Sequence, residues 1–189
     1  VVSRFRAAIE RAKPSSGADV IVCWDGPGSW RRDIFPAYKA NRGQKPEALV
    51  RALEECRSVF PGYVAPGFEA DDLIATFARQ APHAHPVVIL SEDKDIMQLV
   101  GMHCFLVTSR GEVYDVARVE AKFGVPPNRL RHLLSWTGDK VDALDGIVGF
   151  GPKRAIAKAL AGEIGNRLTY DLTELANVPR ELMIRRERW

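Results

Sequence analysis

Gly67-Phe68-Glu69-Ala70-Asp71-Asp72-Leu73-Ile74-Ala75-Thr76-Phe77-Ala78 is the stretch from which the rest of the chain can be read. At ~100° per residue, Ala70, Leu73, Ile74 and Phe77 share one apolar face of a helix, while Glu69, Asp71 and Asp72 spread over the other. Acids in a first helical turn have an ordinary explanation, since they complement the helix dipole and stay solvated. The other explanation is one side of a metal site, and it requires further acids at the same place. Two short apolar runs supply them. Asp19-Val20-Ile21-Val22-Cys23-Trp24 and Pro86-Val87-Val88-Ile89-Leu90 are nearly continuous, as expected of parallel strands covered on both faces. The first ends at Asp25-Gly26 and the second at Ser91-Glu92-Asp93-Lys94-Asp95. Ligands of open α/β sheets bind at the carboxyl ends of the strands, so Asp25, Asp93 and Asp95 are site candidates. Asp25 before Gly26 also fits a plain turn. Asp139 and Asp142 follow a helix predicted over residues 126–137 and, three apart, can point together.

The bulk numbers agree with a folded domain. A chain of 189 residues with 46% hydrophobic and 27% charged content can bury a core. No apolar run approaches ~18 residues and no signal-peptide pattern opens the chain, so a soluble, cytoplasmic protein without a membrane partner is expected. Cys23, Cys56 and Cys104 are odd in number and lack Cys-x-x-Cys spacing, and are read as reduced thiols. The chain opens with Val1 directly in a helical pattern and reads as a fragment. That helix should break at Pro14-Ser15-Ser16-Gly17. Further helices are predicted over residues 46–60 and 119–123. A hairpin is predicted for residues 104–107 and 112–116, around Ser109-Arg110-Gly111. The residues after 160 are helical in pattern, with no site among them.

Basic residues are segregated from the acids. Between residues 30 and 45, Trp30, Arg31, Arg32, Phe35, Tyr38, Lys39, Arg42 and Lys45 interleave rings and cations against the single acid Asp33. Such a mixture suits phosphate neutralisation and base stacking, with a solvated loop as the plainer possibility. Gly146-Ile147-Val148-Gly149-Phe150-Gly151-Pro152-Lys153-Arg154 then opens a helix. Its glycine turn exposes backbone N–H groups, and Lys153, Arg154 and Lys158 add charge suited to a DNA phosphate.

Asp25, Glu69, Asp71, Asp72, Asp93, Asp95, Asp139 and Asp142 are thus candidates for one place. Oxygen ligands without His or Cys favour Mg²⁺ or Mn²⁺. Two such ions ~4 Å apart would activate water and stabilise a leaving oxygen, with Lys39 and Arg42 on the scissile phosphate. The residues therefore point to metal-dependent cleavage of a phosphodiester.

Asp25 with Trp30-Arg31-Arg32, Tyr38-Lys39-Ala40-Asn41-Arg42, Glu69-Ala70-Asp71-Asp72, Asp93-Lys94-Asp95 with Gln98-Leu99, Gly138-Asp139 with Asp142, and Gly149-Phe150-Gly151-Pro152-Lys153 together resemble the 5′-nuclease family. The likeness runs in order over residues 19–160. It implies a PIN-like α/β fold, a mostly parallel sheet flanked by helices, with a helix-hairpin-helix-like DNA-binding element. Residues 1–125 would form the nuclease domain, with a small arch at about 30–60, and residues 126–189 the helical DNA-binding region. The implied activity is a structure-specific 5′-3′ exonuclease or flap endonuclease using two divalent ions, in a bacterial or phage, nucleoid-associated setting. A non-catalytic binder of branched DNA and a PIN-like ribonuclease are the alternatives.

By resemblance, Asp25, Glu69, Asp71 and Asp72 serve the first metal and Asp93, Asp95, Asp139 and Asp142 the second. Lys39 and Arg42 match catalytic cations of the arch, and Arg31, Arg32, Tyr38, Gly149, Gly151, Lys153, Arg154 and Lys158 match DNA contacts. The glycine turn is implied to bind K⁺. A DNA polymerase partner and a monomeric state are expected. The sequence departs from the family in four respects. A first strand ending in Asp should precede Val1; the usual Asp-Asn is Asp142-Ala143 and Ser91 stands where Thr is common; only a short span separates Lys39 from Glu69; and the C-terminal helical region is short.

Overall fold

The structure, a computed structural model, describes residues 1–13 and 17–186. The predicted break at Pro14-Ser15-Ser16 and the tail beyond Arg186 lie outside the described residues. Helix α1 (Val2–Ala12) leads to the first candidate strand. Only Cys23 there forms a bridge, parallel to Tyr63, and Val20 and Ile21 stand half exposed. The buried strand predicted over residues 19–24 is therefore reduced to a bridge. An apolar run is covered on both faces only where partners flank it.

Helix α2 (Trp30–Ile34) follows, and then α3 (Glu47–Val59), which Pro46 precedes as expected of a helix start. Strand β1 (Gly62–Val64) runs into α4 (Ala70–Gln80), the acidic helix. Leu73 of α4 is fully buried with Ala65 and Val178, against Tyr63 and Phe77, while Ala75 and Ile74 face the main core. The apolar face is thus shared between two cores, which fixes the helix axis and aims its N-terminus.

The main core lies under β2 (Val87–Leu90), β3 (Cys104–Val107) and β4 (Val113–Tyr114), in the order β2-β3-β4. The β2 and β3 pair is parallel and the β3 and β4 pair antiparallel, as the predicted hairpin requires. Between β2 and β3 the chain forms a 3₁₀ turn over Asp95–Leu99, whose Ile96 and Met97 are buried. Helix α5 (Val116–Phe123) ends at Gly124, whose φ of 74° provides the left-handed cap.

Helices α6 (Leu130–Thr137), α7 (Pro152–Leu160) and α8 (Arg167–Leu172) complete the bundle on the sheet. The last stretch departs from the helical pattern. It holds strand β5 (Ile184–Arg186), paired antiparallel with β1. The pattern of three exposed residues carries no strand signal, and the pairing is made by a partner more than a hundred residues away. Among the described residues no helix is long and apolar enough to cross a membrane.

Candidate metal and nucleic-acid site

The acids converge from three directions. The α4 N-terminus brings Glu69, Asp71 and Asp72, the turn after β2 brings Asp93 and Asp95, and a short 3₁₀ turn over Lys140–Asp142 brings Asp139 and Asp142. Each is seated by local chemistry. Asp25 accepts a hydrogen bond from the Ala70 N–H at 3.0 Å, at the start of α4. Asp93 accepts from the Asp95 N–H at 2.9 Å, closing an Asx turn. Asp139 accepts from the Val141 N–H at 3.1 Å and pairs across the loop with Leu144.

Asp95, Asp139 and Asp142 each offer an oxygen within 4.8 Å of the other two. Asp139 and Asp142 are buried, and Oδ1 of Asp95 is buried without a hydrogen-bond partner. An acceptor left so is costly unless a cation or water meets it. Burial, and then repulsion from Asp93, push the Asp95 carboxyl up to about 7. Asp71 rises to about 7 for the same reasons, with Asp25 and Glu69 adding to the repulsion. Carboxylates crowded with their charge poorly compensated fit hard divalent ions.

Cations already sit among them. Lys94 Nζ lies 2.8 Å from Asp139, and Lys39 Nζ lies 2.8 Å from Glu69 and 4.0 Å from Asp142. Arg42 pairs with Asp142. Lys39 takes a φ of 57° and its N–H donates to the Asp142 carbonyl at 3.0 Å, so the backbone itself presses this turn onto the acids. The Tyr38 hydroxyl, buried, is 3.3 Å from both Glu69 and Asp142 and ties α4 to the 3₁₀ turn. The sequence motif assigns Lys94 no role, yet the structure sets it on Asp139. Its place between Asp93 and Asp95 was the available signal.

Two sequence-predicted residues are placed differently. Asp72 is fully buried and Arg31 is 2% exposed, and the two form a fork-to-fork ion pair with both oxygens at 2.8 Å. The aromatic residues of the basic stretch turn inward, Trp30, Phe35 and Tyr38 packing with Leu144 and Leu172. Arg32 remains exposed.

The glycine turn joins α6 to α7. Gly149 takes a φ of 83°, and Gly151 caps α7 with Pro152 at its first position. Lys153 and Arg154 are exposed beside it, and Lys158 pairs with Glu163 at 2.6 Å. The loop is anchored from behind by Trp136, whose ring lies 4.4 Å from that of Phe150.

These elements define a PIN-like α/β fold with an acid-lined sheet edge. The same fold is seen in the phage T5 flap endonuclease crystallised with DNA and metal ions, at a TM-score of 0.70 and 22% identity over 91% of this chain and 78% of that one. Residues 1–124 match the family model of the 5′-3′ exonuclease N-terminal, resolvase-like domain, and the chain belongs to that family. It is 38% identical over 185 residues to DNA polymerase I of Pseudomonas aeruginosa, covering 94% of this chain and 20% of that protein. It is 36% identical over 145 residues to the 5′-3′ exonuclease of Aquifex aeolicus, covering 72% of this chain and 50% of that one. The chain therefore spans a fifth of the first relative and half of the second.

Proposed function

We propose that the chain is a divalent-metal-dependent 5′-nuclease that hydrolyses DNA phosphodiesters near junctions of single and double strands. The carrying observation is the Asp95, Asp139 and Asp142 triad, in which Asp139 and Asp142 are buried and Oδ1 of Asp95 has no hydrogen-bond partner, directly beside the Lys39 and Arg42 turn. Asp93, Asp95, Asp139 and Asp142 would hold one ion, and Asp25, Glu69 and Asp71 the other. Two Mg²⁺ or Mn²⁺ ions there would supply charge neutralisation and a water of lowered pKa.

The protein's own part is positioning. Lys39 and Arg42 now neutralise Glu69 and Asp142, and with those charges compensated they are free to turn to the scissile phosphate. Tyr38 keeps α4 and the Lys140–Asp142 turn at fixed separation. The N–H groups between Gly149 and the start of α7, with Lys153, Arg154 and Arg32, would hold the duplex backbone without reading its sequence. Carbonyls of the same turn would take K⁺. The names of the relatives support a polymerase as the working partner, fused or separate.

The test is cleavage of a 5′-labelled flap DNA in Mg²⁺, Mn²⁺ and EDTA. Cutting near the junction is expected in either metal and none in EDTA. Asp139→Asn should lower the rate by on the order of 10²–10³, the equivalent of several kcal/mol, while DNA binding in Ca²⁺ stays within about threefold. Binding with no cleavage in Mn²⁺ would make the chain a branched-DNA binder. Faster cutting of a matched RNA would make it a ribonuclease.

A further inference from the structure

The Arg31 and Asp72 side chains have no capacity left for DNA or metal. Oδ1 of Asp72 accepts from Arg31 Nη2 and from the Ala176 N–H, both at 2.8 Å. Its Oδ2 accepts from Arg31 Nη1 at 2.8 Å, from the Glu69 N–H at 3.2 Å and from Trp30 Nε1 at 3.3 Å. Those five donors exceed the roughly four lone-pair sites of a carboxylate. Arg31 is equally committed. Its Nε donates to the Leu172 carbonyl at 2.8 Å, Nη2 also reaches the Glu174 carbonyl, Nη1 lies 3.5 Å from Glu69, and the guanidinium stacks 4.5 Å from the Trp30 ring centroid. A guanidinium buried on every side cannot meet a phosphate without the pair being dismantled.

We propose that Arg31 and Asp72 act as one positioning unit rather than as a DNA contact and a metal ligand. The unit joins three segments distant in sequence: α2, the α4 N-terminus, and residues 172–176 at and just after the end of α8. It fixes Glu69 at two points, through its backbone N–H and beside its carboxylate. Because Trp30 opens α2, the unit also sets where the chain enters the turn that carries Tyr38 and Lys39. The segment after α8 is thus part of what shapes the metal site. The role in cleavage rests on the nuclease reading above, whereas the exclusion from metal and DNA does not.

The experiment compares Arg31→Met, Asp72→Asn, the double variant and the conservative Arg31→Lys with the unmodified chain. It reads Mn²⁺ binding by titration calorimetry without DNA, DNA affinity in Ca²⁺, the single-turnover rate on bound flap DNA, and melting temperature. Both single variants should keep the number of Mn²⁺ sites and bind DNA within about threefold. Both should cut about 10- to 100-fold more slowly, with the double variant no more than about threefold below the slower single one. Arg31→Lys keeps the charge but loses the fork, and should fall between. Loss of an Mn²⁺ site in Asp72→Asn that Arg31→Met retains would overturn the proposal, as would weakened DNA binding in Arg31→Met with an unchanged bound rate. Rate losses that multiply in the double variant would also overturn it. If the unmodified chain binds Mn²⁺ and cuts nothing, the nuclease reading fails alone, and the Mn²⁺ count with the coupling in melting temperature still decides the pair. Arg31→Lys serves the same comparison if Arg31→Met does not fold.

Discussion

Ala143 takes a φ of 59° immediately after Asp142, in the left-handed region that non-glycine residues enter at a cost of roughly 1–2 kcal/mol. Asn is the common residue at this place in the family the sequence resembles, and Asn tolerates that conformation because its side chain can bond the local backbone. The departure noted in the sequence therefore has a physical consequence at the turn that carries two of the buried acids. Ala143→Asn should raise stability by about 0.5–1 kcal/mol, a rise of roughly 1–4 °C in melting temperature for a chain of this size. A melting temperature that stays level or falls would mean that the turn is held by its hydrogen bonds, Lys39 N–H to the Asp142 carbonyl among them, without stored strain. At this same scale the sequence could not separate Asp71 from Asp72. Both lie in the first turn of α4, but Asp72 stands three residues after Glu69 and accepts its N–H, so the ordinary helix-start explanation describes Asp72 while Asp71 turns to the other acids. The 69 to 72 spacing was the local hint. The Arg31 partners Leu172 and Glu174 offer only backbone carbonyls, which leave no trace in a sequence.

At the scale of elements, what could be read was what local chemistry decides. Helices α3 and α4 follow from 3.6-residue periodicity, α5 from its period and closing Gly124, and the β3 and β4 hairpin from its turn. Strand β5 and the loss of the strand at residues 19–24 depend on partners far along the chain, and no window of sequence contains them. The loop from Gly138 to Gly146 is legible in another way. A Cβ at Gly138, where φ is 74°, would lie 2.5 Å from the Gly146 nitrogen, and one at Gly146 would lie 2.5 Å from the Thr137 carbonyl carbon. The two glycines let the loop close on the end of α6, and that closure holds Asp139 and Asp142 beside Asp95. Gly146→Ala should therefore cost more than about 2 kcal/mol and weaken Mn²⁺ binding, because the obstruction is backbone and cannot swing aside. Gly149→Ala meets no neighbour within 4 Å, so its cost is conformational, about 1 kcal/mol, and it should lower DNA affinity while leaving Mn²⁺ binding intact. Equal effects of the two substitutions on Mn²⁺ binding, measured by calorimetry, would dissolve the distinction between a loop that shapes the metal site and a turn that meets DNA.

Across the whole molecule the formal charge is a mild +3, but it is unevenly spent: acids are packed at the sheet edge, and Lys39, Arg42 and Lys94 are drawn in among them. Asp71 and Asp95 stand near 7 in the fold, against about 3.9 in an unfolded chain. Between about pH 4 and 7 the folded protein therefore keeps protons that the unfolded chain has released, and stability without metal falls as pH rises through that window, levelling above it. Divalent ions bind the deprotonated carboxylates, so their stabilisation should run the opposite way. At a concentration of one hundred times the dissociation constant, Mn²⁺ contributes about 2.7 kcal/mol, which is roughly 5–10 °C in melting temperature. That rise should appear at pH 8, shrink strongly at pH 5.5, and vanish with EDTA at both. Asp95→Asn removes the repulsion and the ligand together, so it should melt higher than the unmodified chain at pH 8 without metal and gain less from Mn²⁺. A gain from Mn²⁺ as large at pH 5.5 as at pH 8, read by differential scanning calorimetry, would place the ions away from these carboxylates. The converse result would tie the strain of the metal-free edge to the ions that relieve it.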